Sequence, residues 1–335
     1  MQQDNPLVQA MLNPNTYPEP TGKIELIQTH ISFVFLTQNY VYKIKKPVNF
    51  GFLDFSTLDK RRMYCEKELA LNRRLCPEIY LEVVPINKSA TLKIKGEGET
   101  VEYALKMKRL PQECIMTKLL QEGKIDKKTI DQIAAIVAKF HAKAQTNAEI
   151  TEVGGIKAVQ FNWDENFAQT TKYQGQTVTK ADYAAMQTKI NSFLTKNKGL
   201  FETRMAEGRV RDCHGDLHSG NIFVTDKIYI FDAIEFNDRF RYSDVAADVA
   251  FLAMDLDYQN RSDLADYFIA QYVGYSKDTQ LAMLLPFYKC YRAYVRGKVV
   301  SFRLDDPNIK AEEKAAAIKE AQAYFQLAAK YANNL

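Results

Sequence analysis

The segment from His214 to Asn221 carries residue types that a phosphoryl-transfer reaction needs. It reads His214-Gly215-Asp216-Leu217-His218-Ser219-Gly220-Asn221 and is followed by an apolar stretch that ends at Asp232. Such a reaction requires a carboxylate beside the attacking hydroxyl and oxygen ligands for the Mg²⁺ that bridges the ATP phosphates. Asp216 is the candidate carboxylate. Asn221 and Asp232 are the candidate metal ligands, because Mg²⁺ favours hard oxygen donors and completes its shell with phosphate and water.

The same loop has two other interpretations. Asp216 and Asn221 could belong to an ordinary loop rich in Asp and Asn, although the spacing and the later Asp232 favour chemistry. His214 and His218 are four residues apart, like a zinc-protease pair. Gly215 and Gly220 oppose the continuous helix that such a pair requires, so the favoured role of His214 is to brace the loop by hydrogen bonding.

The elements before this loop are mostly strands. Ile24–Ile27, Phe33–Leu36 and Tyr40–Ile44 are rich in β-branched and aromatic residues and predict an antiparallel meander. A helix is predicted from Asp59 to Leu75, with its cap at Ser56-Thr57. Three further strands are then predicted, at residues 83–86, 91–94 and 101–107. Gly96-Glu97-Gly98 predicts a hairpin turn before the last of these strands.

After Pro111 the pattern becomes helical. Asp126 caps an amphipathic helix to Ala144, and two short strands, Asn221–Val224 and Ile228–Asp232, follow the loop. The other predicted helices are 180–201, 244–256, 262–275, 279–303 and 311–331. A β-rich first third with one helix and a mostly helical remainder predict a bilobal α+β protein. The predicted domains are residues 1–110 and 111–335, with a hinge at Lys108–Pro111.

Composition limits the class of protein. The 335 residues include 45 Lys and Arg against 41 Asp and Glu, a net charge of +4, which argues against an obligate nucleic-acid binder. Five scattered cysteines without CxxC spacing indicate reduced thiols rather than a zinc site. No apolar run is long enough to span a bilayer. The segment Met1–Asp4 does not begin a secretion signal. We therefore expect a cytoplasmic protein that contacts neither nucleic acid nor membrane.

The loop resembles that of the aminoglycoside-phosphotransferase-like branch of the protein-kinase-like superfamily. That branch has His-x-Asp-x4-Asn and an Asp that ends the next hairpin, and both match here. The resemblance extends through Thr29–Ser32, Lys46-Pro47, Gly51–Phe55 and Asn72–Leu75. It is similar to an uncharacterised bacterial subgroup that sometimes carries an additional P-loop ATPase domain. This chain contains no G-x-x-x-x-G-K-[S/T] motif.

The resemblance implies a kinase-like fold and roles for several residues. Lys43 corresponds to the lysine that binds the ATP phosphates, and Glu68 to its ion-pair partner. Lys45 and Glu66 are the respective alternatives, because strand alternation places Lys43 and Lys45 on one face. Asp216 corresponds to the catalytic base or hydroxyl-orienting group.

Further site residues follow from the same resemblance. The glycine-rich loop of protein kinases is missing, and the short segment from Thr29 to Ser32 is expected to contact the phosphates through its backbone and hydroxyls. The backbone near Met107 to Leu110, which includes Lys108, is expected to meet the adenine edge. Asp244 or Asp248 resembles the aspartate that supports the catalytic loop, although a helix cap and a solvated helix face explain them equally well.

The resulting hypothesis is an ATP- and Mg²⁺-dependent phosphotransferase that acts on a hydroxyl of a small molecule. Two rival classes remain: a nucleotide-binding regulatory pseudokinase, and a nucleotidyl transferase that modifies a protein. The intact set of Lys, Glu, Asp, Asn and Asp argues against the first. The second uses nearly the same residues and stays open.

A basic helix suggests the class of acceptor. Lys289, Arg292, Arg296 and Arg303 recur on one helical face, with tyrosines between them. This face is either solvated and ion-paired, meeting Asp255 and Asp257, or it is one wall of the acceptor pocket. A basic wall would repel polycationic aminoglycosides. It therefore predicts a neutral or anionic acceptor such as a sugar or sugar phosphate.

Overall fold

A computed structural model of the chain describes residues 5–335. The segment Met1–Asp4, where we predict no secretion signal, lies outside the described residues. The strands are β1 Glu25–Gln28, β2 Ser32–Leu36, β3 Tyr40–Lys45, β4 Tyr80–Lys88, β5 Leu92–Ile94, β6 Glu99–Lys108, β7 Val210–Asp212, β8 Ile222–Val224, β9 Ile228–Ile230 and β10 Tyr242–Asp244. The α-helices are α1 Pro6–Met11, α2 Leu58–Asn72, α3 Met116–Gln121, α4 Lys127–Lys143, α5 Ala148–Val153, α6 Ile156–Thr170, α7 Lys180–Lys196, α8 Lys198–Ala206, α9 Asp238–Arg241, α10 Val245–Tyr258, α11 Ser262–Ser276, α12 Leu281–Ser301 and α13 Ala311–Ala332.

The chain folds into two compact units. The β-rich unit consists of Met1–Ile115 and Ile222–Asn237, and the helical unit of Met116–Asn221 and Asp238–Leu335. The predicted α+β class, with strands first and helices after, is confirmed. The domain boundary between residues 110 and 111 stays a prediction.

A six-stranded antiparallel sheet in the order β1-β2-β3-β6-β4-β5 forms the centre of the β-rich unit. Its first three strands are the predicted meander. Tyr42 and Ile44 of β3 enter a buried hydrophobic cluster with side chains of β2 and β4. Because side chains alternate along a strand, Lys43 and Lys45 lie on the opposite face of β3.

The turn Gly96-Glu97-Gly98 does not join neighbouring strands, so the predicted hairpin is wrong. β5 and β6 both pair with β4, which lies between them in the sheet. Gly98 has φ +102°, and a Cβ there would lie 2.2 Å from the carbonyl oxygen of Lys88 at the end of β4. Turn residues indicate where the chain reverses, but they do not determine which strands pair.

The helix α2 positions one site residue of the β-rich unit. It begins after Thr57, whose hydroxyl accepts the N–H of Lys60 at 3.3 Å. It packs against β4 and β6 and buries the side chain of Glu68. Its end at Asn72 is three residues earlier than predicted.

The helical unit differs from the prediction in several helices, because α3, α5, α6 and α9 were not predicted and one predicted helix is divided. The helix predicted over residues 180–201 is divided at Asn197 into α7 and α8. The helix α6 was not predicted, because its mixed polar and aromatic sequence gives no clear apolar stripe and Gly154-Gly155 precedes it. Within residues 5–335, no helix combines the length and the apolar character needed to cross a membrane.

A buried arginine joins three parts of the helical unit. Arg204 on α8 donates hydrogen bonds of 2.6 and 2.7 Å to Asp244, the cap of α10, and of 2.8 Å to Asp278, which precedes α12. Its side chain is fully buried. Burial raises the pKa of Asp278, but Arg204 outweighs this effect and lowers the pKa.

We expect Arg204→Met to lower the free energy of unfolding by about 3–5 kcal/mol, because two buried carboxylates lose their cation. Urea unfolding followed by the fluorescence of the single tryptophan, Trp163 in this unit, measures the change. Since folding lowers the pKa of Asp278, the pair stabilises the wild type above about pH 3.9 and less as the pH falls below it. Arg62→Met is the control, since its pair with Glu66 is exposed and contributes little to stability. Equal losses in the two variants would contradict the prediction.

Candidate active site

Lys43 forms two ion pairs in the β-rich unit. Its Nζ lies 2.8 Å from Glu68 Oε1 on α2 and 2.7 Å from Oδ1 of Asp232, which follows β9. Glu66, the alternative to Glu68, instead pairs with Arg62 at the surface. The side chains of Lys43 and Asp232 are 16% and 40% exposed, so a ligand can reach both groups.

Lys45 also contacts Glu68, and this contact was not predicted from the sequence. Its Nζ lies 2.7 Å from Glu68 Oε2 and also contacts Glu235. The two oxygens of Glu68 are therefore divided between two lysines of one strand face. Lys45 is 1% exposed and is enclosed by these contacts. No motif pointed to Glu235; its position three residues after Asp232 was the only signal in the sequence.

The charges in this network shift one another's pKa. Burial lowers the pKa of Lys43, but the carboxylates of Asp232 and Glu68 outweigh burial and hold it well above its usual range. Burial raises the pKa of Glu68, whereas Lys43 and Lys45 bring it down to about 2. Glu235 keeps a raised pKa, because its burial outweighs the pairing with Lys45. Lys43 and Glu68 are therefore charged near neutral pH.

The backbone of Asp232 lies in the left-handed region, with φ 65°. Its N–H donates to the Tyr80 hydroxyl at 3.2 Å, and the next N–H, of Ala233, donates to Asn72 Oδ1 at 2.9 Å. This conformation costs a residue with a side chain about 1–2 kcal/mol. Such strain concentrates at functional sites, where surrounding contacts impose it. Here those contacts fix the carboxylate beside Lys43.

The segment from Thr29 to Ser32 is the tight turn between β1 and β2. The hydroxyl of Thr29 accepts the N–H of Ser32 at 2.9 Å, so it is used inside the turn. The Ser32 hydroxyl is buried and has no hydrogen-bond partner among the described residues. These positions do not fit the expected contact of the two hydroxyls with phosphate. The exposed residues of the turn are Thr29 and His30.

The end of β6 uses most of its backbone groups within the β-rich unit. Met107 is paired with β3 and β4. The N–H of Lys108 donates to the carbonyl of Ile79, and that of Arg109 to the carbonyl of Asn39, each at 2.9 Å. The amides of Lys108 and Arg109 therefore do not fit the expected contact with an adenine edge. A contact with the adenine edge would have to use a different backbone group of this segment.

The loop from His214 to Asn221 in the helical unit is braced from within. Asn221 Nδ2 donates to the carbonyl of Asp216 at 2.9 Å and to Asp216 Oδ2 at 3.0 Å. This arrangement leaves Asn221 Oδ1 as the amide's acceptor for a cation. His214 Nδ1 accepts the N–H of Asp216 at 3.2 Å, and His218 Nδ1 accepts the N–H of Gly220 at 3.1 Å. Both histidines thus serve the loop.

Asp248 supports this loop from α10. Its carboxylate accepts the N–H of His214 at 2.7 Å and the N–H of Gly215 at 2.9 Å. Burial raises the pKa of Asp248, but the hydrogen bond with His141 and nearby cations hold it well below its usual range. Asp244, the other candidate, caps α10 instead.

A second aspartate of α10, which the sequence analysis did not assign to the loop, also supports it. Asp255 accepts the N–H of Ser219 at 2.8 Å, and the hydroxyl of Ser219 lies 2.7 Å from that of Thr117. Asp248 and Asp255 are seven residues apart and therefore share one helix face. That spacing was the available signal.

His141, Cys213 and Asp248 form a buried group whose potential ligand atoms lie within 4.8 Å of one another. The ring of His141 bridges the Tyr272 hydroxyl at 2.8 Å and Asp248 at 3.2 Å. Asp248 also holds the two N–H groups of the loop. These polar atoms already have partners, so we assign the group to loop support and not to a metal.

The basic helix α12 is not the continuous wall that its spacing predicted. Arg292 is buried and donates to the carbonyl of Gly215 at 2.9 Å and to that of Ala247 at 3.1 Å. Lys289 pairs with Asp257 at 2.6 Å. Lys289 thus follows the ion-paired alternative, with one of the two predicted aspartates as its partner. Neither Lys289 nor Arg292 forms the predicted wall, because spacing defines a common face and not what packs against it.

Asp216 is partly exposed and strongly acidic. Its side chain is 35% exposed, and its Oδ2 lies 3.6 Å from His218 Nε2. Burial raises the pKa of Asp216, but His218, Arg296 and His214 together hold it well below its usual range. Such a carboxylate is ionised near neutral pH but is a weak base. It suits a group that orients a hydroxyl and accepts its proton late in transfer.

Each of the two units has a donor atom of the type that Mg²⁺ binds. Asp232 offers an exposed carboxylate in a fixed conformation, and Asn221 offers an amide oxygen whose orientation is set by Asp216. Mg²⁺ is usually bound through one or two carboxylates, with phosphate oxygens and water completing its octahedral shell.

Comparison with known sequences identifies relatives. The model of the family described as phosphotransferase enzyme family matches residues 51–282. Two proteins named as uncharacterized, from Mycobacterium tuberculosis (strain ATCC 25618 / H37Rv) and Mycobacterium bovis (strain ATCC BAA-935 / AF2122/97), are each 34% identical over 297 residues. The match covers 88% of this chain and 58% of each relative, so the chain spans less than two thirds of their length.

Comparison with solved structures supports the fold. A choline/ethanolamine kinase family protein from Mesorhizobium loti has a TM-score of 0.52 at 12% identity, covering 99% of this chain and 97% of that one. The GDP and kanamycin complex of APH(2")-IIia gives 0.53 at 10% identity, with 92% and 94% covered. Plasmodium vivax ethanolamine kinase gives 0.51 at 12% identity, with 91% and 81% covered. The predicted kinase-like fold, with its small β-rich part and larger helical part, is confirmed.

Proposed function

This chain belongs to the phosphotransferase enzyme family, and we propose that it transfers the γ-phosphoryl group of ATP, with Mg²⁺, to a hydroxyl of a neutral or anionic small molecule. The observation that carries the proposal is the braced loop, where Asn221 and His218 hold an ionised, partly exposed Asp216. A loop that served only as a connection would not need two further aspartates of α10 to fix its backbone.

In this proposal Asp216 orients the acceptor hydroxyl and takes its proton. Lys43 binds the α- and β-phosphates, and Glu68 positions Lys43. Asn221 and Asp232 are the Mg²⁺ ligands. The bound ion would neutralise charge on the phosphates. Catalysis then consists of positioning and electrostatic stabilisation, which a rigid loop and a fixed lysine supply.

The acceptor and the location of the enzyme complete the proposal. We favour a sugar or a sugar phosphate, and no nucleic acid or membrane is required. All five cysteines are free thiols. A cytoplasmic setting would keep such thiols reduced and supply ATP.

The test is incubation with γ-labelled and α-labelled ATP in parallel, each with a library of hydroxyl-bearing metabolites and, separately, with a cell extract. We expect label from γ-labelled ATP in a small molecule and none from α-labelled ATP. Removal of Mg²⁺ with EDTA should abolish the transfer, and added Mg²⁺ should restore it.

The two rival functions give different results in the same assay. Label from α-labelled ATP on a protein would indicate a nucleotidyl transferase. Nucleotide binding without transfer to any library member or to cell extract would indicate a regulatory pseudokinase. Either result would overturn the proposed phosphotransferase.

A further inference from the structure

Two cations of α12 lack the carboxylate partners that its other basic residues have. Lys289 pairs with Asp257, and Arg292 lies 3.8 Å from Asp248. Among residues 5–335, neither Arg296 nor Lys298 has a carboxylate within 4 Å. Arg296 lies over the ring of Tyr324 at 5.5 Å, and it helps to lower the pKa of Asp216 through its charge.

Lys298 is held by neutral groups of α6. Its Nζ donates to Asn166 Oδ1 at 2.6 Å and to Gln169 Oε1 at 2.8 Å. The nearby carboxylate of Glu165 is neutralised by Arg239 at 2.8 Å. Burial lowers the pKa of Lys298 to about 8. Its Nζ also lies 5.7 Å from the centre of the Phe302 ring. A cation whose partners are all uncharged gains by binding an anion.

The side of α12 that lies between these two cations has three partly exposed apolar residues, and the last of them, Phe302, follows the end of the helix at Ser301. Val295, Val299 and Phe302 follow each other at spacings of four and three residues, so they lie on one side. Val299 is 48% exposed and Phe302 36% exposed. Arg296 follows Val295 and Lys298 precedes Val299, so the two cations flank this apolar strip.

The α6 helix adds polar groups beside Lys298. Asn162, Glu165, Asn166 and Gln169 occupy successive positions of one helical face. The Oδ1 atom of Asn162 is buried and has no hydrogen-bond donor among the described residues. A hydroxyl of a bound ligand would supply the missing donor.

We propose that the apolar strip between Arg296 and Lys298 binds the acceptor, and that Lys298 binds an anionic group of it. The acceptor is therefore a hydroxyl compound that carries a phosphate or a carboxylate. This inference rests on the proposed function, since it deepens the acceptor side of the same site. It replaces Arg292 of the predicted basic wall by Lys298, which sequence spacing did not select.

The first test needs no ATP and no turnover. Wild-type protein is treated with acetic anhydride, and the rate of acetylation at Lys298 is measured by mass spectrometry. Inorganic phosphate at about ten times its Kd should slow the rate about tenfold by occupying the site. Glucose 6-phosphate and gluconate should also protect, whereas glucose and chloride at matched ionic strength should not. The exposed Lys314 is the internal control and should not respond. Unchanged labelling of Lys298 by all three anions would overturn the inference.

The second test uses transfer from γ-labelled ATP to glucose, glucose 6-phosphate, gluconate and kanamycin. We expect an anionic compound to have the highest kcat/KM. Lys298→Met should raise its KM about tenfold or more, with the KM of ATP unchanged, and Lys298→Arg should lose less. Preference for kanamycin or glucose, or an unaffected KM in Lys298→Met, would overturn the inference while leaving the phosphotransferase intact. Protection of Lys298 without any transfer would instead count against the proposed function alone.

Discussion

Asp216→Asn should abolish phosphoryl transfer and leave the binding of Mg-ATP nearly intact. An asparagine at this position can still accept the hydrogen bond from Asn221 Nδ2, which is 3.0 Å from Asp216 Oδ2 in the wild type. The loop should therefore keep its backbone. What is lost is the charge that orients the acceptor hydroxyl and the oxygen that takes its proton. General-base groups contribute about 10²–10⁴-fold to rate, so we expect kcat to fall at least a hundredfold.

The measurement is kcat with γ-labelled ATP together with the Kd of Mg-ATP by calorimetry. Asp226→Asn is the matched control, because Asp226 is an exposed aspartate in the turn between β8 and β9. It should change neither quantity. A variant at Asp216 that retained more than a small fraction of turnover would refute the assignment. Loss of Mg-ATP binding before loss of turnover would mean that Asp216 serves the nucleotide rather than the acceptor.

The hydrogen bonds within the loop could be predicted because its geometry is local, whereas the roles of its residues in transfer stay predictions. His214, Asp216 and Asn221 are close in sequence, and their hydrogen bonds run between neighbouring backbone and side-chain groups. The resemblance to a known loop therefore fixed most of the arrangement. The helices around it were predicted equally well where a cap and an apolar stripe agree, as at Asp126 and α4.

The errors concern contacts between residues far apart in the chain. The sequence places Lys43 and Lys45 on one strand face, but it does not say that a single glutamate 23 residues beyond Lys45 contacts both. The prediction of strand pairing is wrong for the same reason at Gly96–Gly98. The turn lies where it was predicted, but the two strands that it joins each pair with β4 and not with each other. Helical spacing likewise grouped Arg292 with Arg296, although only packing shows that Arg292 is buried.

The two lysines of β3 should separate into one that serves function and one that serves stability. Lys43 remains 16% exposed beside Asp232, whereas Lys45 is 1% exposed and is held between Glu68 and Glu235. Lys43→Met should lower kcat/KM for ATP by about a hundredfold or more, as the loss of an electrostatic contact to the transferring group does. The fold should largely survive, because Glu68 keeps Lys45 as a partner.

Lys45→Met should instead lower the free energy of unfolding by about 3–5 kcal/mol. It leaves Glu235 without its cation in a buried position and removes half of the charge that balances Glu68. Urea unfolding followed by far-ultraviolet circular dichroism measures the effect, alongside ATP kinetics for both variants. Lys46→Met is the control for both measurements. Among residues 5–335, the Lys46 ammonium donates only to the carbonyl of Thr29, at 2.7 Å, so its removal leaves no described carboxylate without a partner. If Lys45→Met retained its stability and lost the ATP-dependent activity, then Lys45 would be the phosphate-binding lysine and the assignment on β3 would move by two residues.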